Sequence, residues 1–122
     1  MARVVHFEIA ADDPERAAAF YRSVFGWQIQ KWDGPMEYWV ITTGPKEEPG
    51  IGGGLGRRTE PGSGTENTVG VESVDKAVQQ VIANGGQVTH PKHAVPGVGW
   101  LAYCKDTEGN QFGIMQDDPS AQ

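Results

Sequence analysis

Cysteine occurs once in the 122 residues, at Cys104. One thiol excludes an intrachain disulfide and any zinc module built on several cysteines, and it fits a reducing compartment. Basic residues are also scarce. Lys and Arg number 10 against 16 Asp and Glu, the formal net charge is -6, and the only adjacent basic pair is Arg57-Arg58. Binding to nucleic acid or to an anionic membrane needs clustered cations, so both partners are excluded on charge. No apolar run approaches the ~20 residues of a membrane-spanning helix, and the start of the chain has no signal-like apolar segment. A cytoplasmic location is expected.

What is present reads as one small globular domain of ordinary hydrophobic content. In the first stretch, Val5, Phe7 and Ile9 alternate with Val4, His6 and Glu8, the pattern of a strand with one apolar face and one polar face. A helix follows. Asp13 is its expected N-cap with Pro14 at the first helical position, its apolar set is Ala17, Phe20, Tyr21, Val24 and Phe25, and Gly26 ends it. Trp27 to Trp32 and Met36 to Thr43 read as strands. The glycine-rich run from Gly50 to Gly56 reads as a weak fourth strand carrying Ile51 and Leu55 around Gly53.

After the polar connection 59–65, the pattern begins again. Val69 and Val71 alternate with polar neighbours, Ser73 caps a second helix with Val74, Ala77, Val78, Val81 and Ile82 on one face, and Gly85-Gly86 closes it. Strands are expected at about 87–90, 98–105 and 110–116, with 90–99 as a loop and a flap over the ligand site. Sliding the chain on itself by about 60 residues aligns Ile9 with Val69, Ala17 with Ala77, Gly26 with Gly86, Gly53 with Gly113 and Leu55 with Met115. The expected fold is α+β. It comprises two tandem βαβββ modules, about 1–58 and about 66–118, in one domain, forming a curved mixed sheet around a concave cleft with the helices outside.

These residues resemble the vicinal oxygen chelate superfamily, which holds glyoxalase I, the bleomycin-resistance proteins and the extradiol dioxygenases. The carriers are His6-Phe7-Glu8-Ile9, then Asp13-Pro14-Glu15-Arg16-Ala17-Ala18-Ala19-Phe20-Tyr21, then Val24-Phe25-Gly26-Trp27. Gly85-Gly86 and Asp106-Thr107-Glu108-Gly109-Asn110-Gln111-Phe112-Gly113 complete them, so the likeness spans nearly the whole chain. Metal-dependent members place ligands on the first and fourth strands of each module. Carried over to this chain, that set is His6, Gly53, Glu66 and Gly113, and glycine offers a metal no side chain. His6 and Glu66 are then the only metal candidates, too few for a catalytic Zn, Ni, Mn or Fe site, which needs about three protein ligands. Glu8 lies two residues from His6, about 6 to 7 Å along a strand, a poor spacing for joint coordination of one ion.

The expected function is therefore a glyoxalase- or bleomycin-resistance-like protein that binds a small organic molecule without a metal or other cofactor. The ligand contacts are His6, Glu8, Glu66, Trp100 and Gln111. The alternatives are a metal-dependent lyase or isomerase of glyoxalase type, or a metal-free acid/base enzyme using His6 and Glu8. His6 also reads as a hydrogen-bonded sheet histidine, and Trp100 as a helix-facing core residue. The resemblance implies a homodimer. His90 and His93 have no third ligand nearby and read as solvated, Gly52-Gly53-Gly54 matches no phosphate-binding motif, and Cys104 reads as a packed strand residue.

Overall fold

A computed structural model describes residues 2–60 and 63–122. Met1, Pro61 and Gly62 fall outside it, so the expected connection at 59–65 is described only in part. The elements run in the order β1 (Arg3–Ala11), α1 (Pro14–Phe25), β2 (Gln28–Lys31), β3 (Tyr38–Thr42), β4 (Gly53–Arg57), β5 (Thr65–Gly70), α2 (Val74–Ala83), β6 (Gln87–Val95), β7 (Gly99–Lys105) and β8 (Gln111–Asp117). This is βαβββ twice. The chain divides into two compact units, His6–Thr65 and, with the residues before His6, Glu66–Gln122.

In the first unit β2 pairs antiparallel with β3, β3 antiparallel with β4, and β4 parallel with β1. Helix α1 starts where the sequence says it must. Asp13 stays extended and its carboxylate accepts from the Arg16 N–H at 3.1 Å, Pro14 follows, and Gly26 closes the last turn in the left-handed conformation at φ 71°. Such a cap contributes about 1 kcal/mol. The helix lies over Ile29, Trp39, Ile41 and Leu55, with Ala18 at the contact and Phe7, Ile9, Ala17, Tyr21 and Trp27 packed around them.

That contact corrects the expected apolar face of α1. Ala18 is buried, whereas Phe20, Val24 and Phe25 are 57%, 55% and 60% exposed. By the helix period Phe20 and Val24 lie on the side away from Ala18, and Phe25 is the last residue of the helix. Phe25 and Tyr21 each stack on Trp27 with ring centroids 5.2 Å apart.

In the second unit β5 pairs parallel with β8, β8 antiparallel with β7, and β7 antiparallel with β6. Ser73 caps α2 through its hydroxyl, and the Gln116 side-chain carbonyl accepts from the Val74 N–H, so two of the orphan donors at the helix start are satisfied. Val74, Ala102, Cys104 and Ile114 form the buried cluster beneath α2.

The expected loop and flap at 90–99 is corrected here. Residues 90–95 belong to β6, and the chain pairs with β7 as far as Val95 against Gly99. Pro91 is accommodated because β6 pairs with β7 on one side and its register shifts between His90 and His93, so the missing N–H interrupts no ladder that needs it. No helix among the described residues is long and apolar enough to cross a membrane.

Candidate functional site

On β1, Phe7, Ile9 and Ala11 join the cluster under α1, so His6 and Glu8 project from the opposite face. β3 divides in the same way. Trp39 is buried under α1 with its indole N–H donating to Glu15 at 2.8 Å, and Tyr38 points to the face of His6 and Glu8. Three side chains meet there. The Tyr38 hydroxyl donates to Glu8 Oε1 at 2.9 Å, His6 Nε2 lies 2.7 Å from the same oxygen, and His6 Nε2 and the Tyr38 oxygen are 3.2 Å apart. An ionised carboxylate accepts only, so the His6 proton facing Glu8 sits on Nε2. His6 and Glu8 are both part-buried, with side chains 34% and 27% exposed.

Glycine makes room for this trio. The register of β1 and β4 sets Glu8 opposite Gly54, and a Cβ on Gly54 would lie 1.6 Å from the Tyr38 oxygen. The phenol occupies the volume that any side chain at 54 would need. Trp32 meets the Tyr38 ring edge to face at 6.4 Å, and Gly34 is vacated for Trp32 in the same manner.

The same register corrects the fourth-strand position inferred by repeat. Gly53 pairs with Phe7 and belongs to the helix side, and the glycine on the face of His6 is Gly54. In the second module, Gly113 pairs with Thr68 and does share the face of Glu66. The two modules therefore differ by one residue in the spacing from first strand to fourth.

In the second unit Gln111 donates from its side-chain amide to Glu66 Oε1 at 2.8 Å, which joins two of the expected contact residues. Trp100 is on the other face of that sheet. It packs with the cluster beneath α2, its indole N–H donates to Asp118 at 2.9 Å, and the Lys92 ammonium lies 4.9 Å from its ring centre. His90 and His93 flank the Tyr103 ring at 5.6 and 6.2 Å and are exposed. Cys104 is fully buried, and burial pushes its thiol up from the ordinary range.

The donor set fits a catalytic metal poorly. In the first unit His6 and Glu8 are the two ligand types on the face, Glu8 already binds His6 and Tyr38 through one oxygen, and the fourth-strand position is glycine whether counted at 53 or 54. Among the described residues, no three of His, Cys, Asp and Glu gather where they could hold an ion.

Tyr38 is the residue that sequence reasoning left out of the site. A signal for it exists: an aromatic strand residue alternating with a buried tryptophan, two strands away from His6, with a strand of glycines between. A depression of about 440 Å³ lies elsewhere in the first unit, between the end of β1 and the start of α1 near Asp12, Arg16, Phe20 and Arg58. Its lining mixes apolar side chains with the Arg58–Asp12 ion pair at 3.1 Å.

Comparison with known proteins places the chain in a class. Residues 3–44 match the family model of the bleomycin resistance protein-like N-terminal region. A glyoxylase-like domain-containing protein of Didymella fabae is 32% identical over 112 residues, which are 88% of this chain and 88% of that protein. The chain belongs to the vicinal oxygen chelate superfamily. Within it, the likeness is to the glyoxalase and bleomycin-resistance-like proteins.

Solved structures agree on the fold. The hypothetical protein BH1468 from Bacillus halodurans C-125 superposes with a TM-score of 0.70 at 18% identity, over 99% of this chain and 98% of that one. A methylmalonyl-CoA epimerase in complex with methylmalonyl-CoA and ammonium gives 0.71 at 15% identity, over 100% and 99%. A Streptomyces coelicolor methylmalonyl-CoA epimerase variant in complex with 2-nitronate-propionyl-CoA gives 0.70 at 16% identity, over 98% and 97%.

Proposed function

We propose that this protein binds a small organic molecule on the polar face of its first module, through His6, Glu8 and Tyr38, and does so without a resident metal. The observation that carries the reading is the closed trio at one carboxylate oxygen, beside a strand whose residues on that face are glycine. A metal site would need donors where the glycines stand. Glu66 and Gln111 serve as ligand contacts in the second module under the same reading. Trp100 belongs there less well, because its ring packs against the cluster beneath α2.

Epimerases of this fold hold acyl-CoA ligands, which supports small-molecule binding as a use of the scaffold. The net charge of -6 suits a neutral or cationic ligand better than a polyphosphate. A cytoplasmic homodimer completes the reading. β4 is flanked by β1 and β3, so a dimer cannot form by adding a strand beside β4.

The test is a thermal-shift screen of chelator-treated, untagged protein against cationic antibiotics, aldehydes and thiol adducts. The reading expects a ligand that raises the melting temperature without added metal and loses this effect in His6→Ala, whose own stability changes little. Stabilisation that requires added Ni or Zn would overturn it.

A second reading has its own support. With Nε2–H committed to Glu8, a neutral His6 presents Nδ1 as a base, oriented by the carboxylate, which is the arrangement of an acid/base catalyst. Turnover of a methylglyoxal-glutathione adduct by metal-free protein, abolished in Glu8→Gln, would establish it.

A further inference from the structure

The trio on the first module's polar face has spent its donors. His6 Nε2–H and the Tyr38 hydroxyl both point to Glu8 Oε1. Glu8 Oε2 has no hydrogen-bond partner among the described residues, and neither does His6 Nδ1. In the neutral imidazole that nitrogen is an acceptor. What remains for a ligand is therefore a carboxylate oxygen and an imidazole lone pair, both part-buried and both accepting.

The surface beside them is flat. β4 presents glycine on this face at Gly54 and Gly56, and Gly56 pairs with Ala10 on one side and Tyr38 on the other. Tyr38 covers Gly54, but a Cβ built on Gly56 meets nothing within 4 Å. The bare backbone of Gly56, the small Ala10 and the Tyr38 ring thus leave room for a planar group to lie against the strand. Val40, next to Tyr38 on the same face of β3, is 43% exposed and extends the apolar border.

We infer that the ligand of this face is a planar molecule that brings hydrogen-bond donors, an amidine, aromatic amine or amide, which donates to Glu8 Oε2 and His6 Nδ1 while its flat part rests on Gly56. This rests on the reading of the face as a binding site and narrows it to one chemical class. With His6 neutral, a carboxylate or phosphate ligand has no partner here, since it would meet a carboxylate oxygen and a lone pair. Leaving the carboxylate unmatched costs more than leaving a neutral group unmatched, so a ligand that donates to Glu8 is favoured over an isostere that does not.

Benzamidine, benzamide and benzoate share one ring and differ in what they donate. Each is titrated into full-length, chelator-treated protein while backbone amide resonances are followed by NMR. The amides of Glu8, Tyr38, Gly54 and Gly56 are expected to shift with benzamidine, more weakly with benzamide and not with benzoate. Glu8→Gln should weaken benzamidine by about tenfold or more, the loss of a hydrogen bond to a charged group. Gly56→Val should abolish binding, because it fills the floor beside Tyr38, and its amide spectrum reports that it is folded and that the Glu8 amide keeps its environment.

Benzoate binding at these amides as tightly as benzamidine would overturn the donor class and leave the face as a binding site. Benzamidine binding unaffected by Gly56→Val would overturn the glycine floor. No shift at these amides with any of the three would overturn both this inference and the reading on which it rests.

Discussion

The Tyr38 hydroxyl lies where a side chain on Gly54 would begin, 1.6 Å from the position of its Cβ, and from there it donates to Glu8. Backbone choice on one strand thus sets side-chain geometry on another. Gly54→Ala should push the phenol away from Glu8 and cost about 1–3 kcal/mol, as overpacking does. Urea denaturation measures the cost. In a Tyr38→Ala background the same substitution should cost almost nothing, and equal costs in both backgrounds would show that the phenol is not what excludes a side chain at 54.

Cys104 is fully buried beneath α2, with its thiol pushed up by desolvation. Reaction with a thiol reagent should therefore proceed only at the rate of opening, and speed up in parallel with unfolding in denaturant. A pH effect follows. The unfolded thiol loses its proton first, so stability should fall as pH rises past the ordinary thiol value of about 8.5, and Cys104→Ala should remove that slope. Cys104→Ser should cost about 1–3 kcal/mol if the buried hydroxyl finds no partner. Denaturation of the three proteins across alkaline pH measures both effects.

Asp118 is held below the ordinary carboxylate range by the Ser120 hydroxyl first and then by the Trp100 indole N–H. Asp106 is lowered by the Asn110 backbone and side chain and by the Glu108 N–H across its turn. Each carboxyl binds its proton more weakly when folded. Its contribution is present above the unfolded aspartate value of about 3.9 and is lost as pH falls toward the lower folded value. Stability measured from pH 6 downward should decline less steeply in Asp118→Asn and Asp106→Asn than in the parent chain. Unchanged slopes in both variants would mean that these bonds do not favour the ionised form.

Much of the fold is legible in the residues because the signals are local. Asp13 and Ser73 cap the helices they were expected to cap, Gly26 closes α1, and the alternation around His6 and Glu8 places both on one face. What escaped depends on contacts remote in sequence. The exposure of Phe20, Val24 and Phe25 follows from the sheet meeting α1 on the side of Pro14 and Ala18, a choice of face that a helix with apolar residues on several sides leaves open. The choice between Gly53 and Gly54 is a register of β4 against β1, and in a run of glycines only Leu55, buried under α1, marks which face is which. β6 extends through Pro91 because a bulged strand paired on one side tolerates a missing N–H, whereas composition alone argues for a loop. Tyr38 entered the site for a similar reason: its partners are some thirty residues away, and only pairing through β4 brings them together.

We propose that this vicinal oxygen chelate protein uses its first polar face without a metal. Elemental analysis of untagged protein, purified without chelator and then dialysed, tests it most directly. Zn, Ni, Mn and Fe are each expected far below one per chain, with no gain on incubation and dialysis. One tightly held ion per chain, lost in His6→Ala, would contradict it.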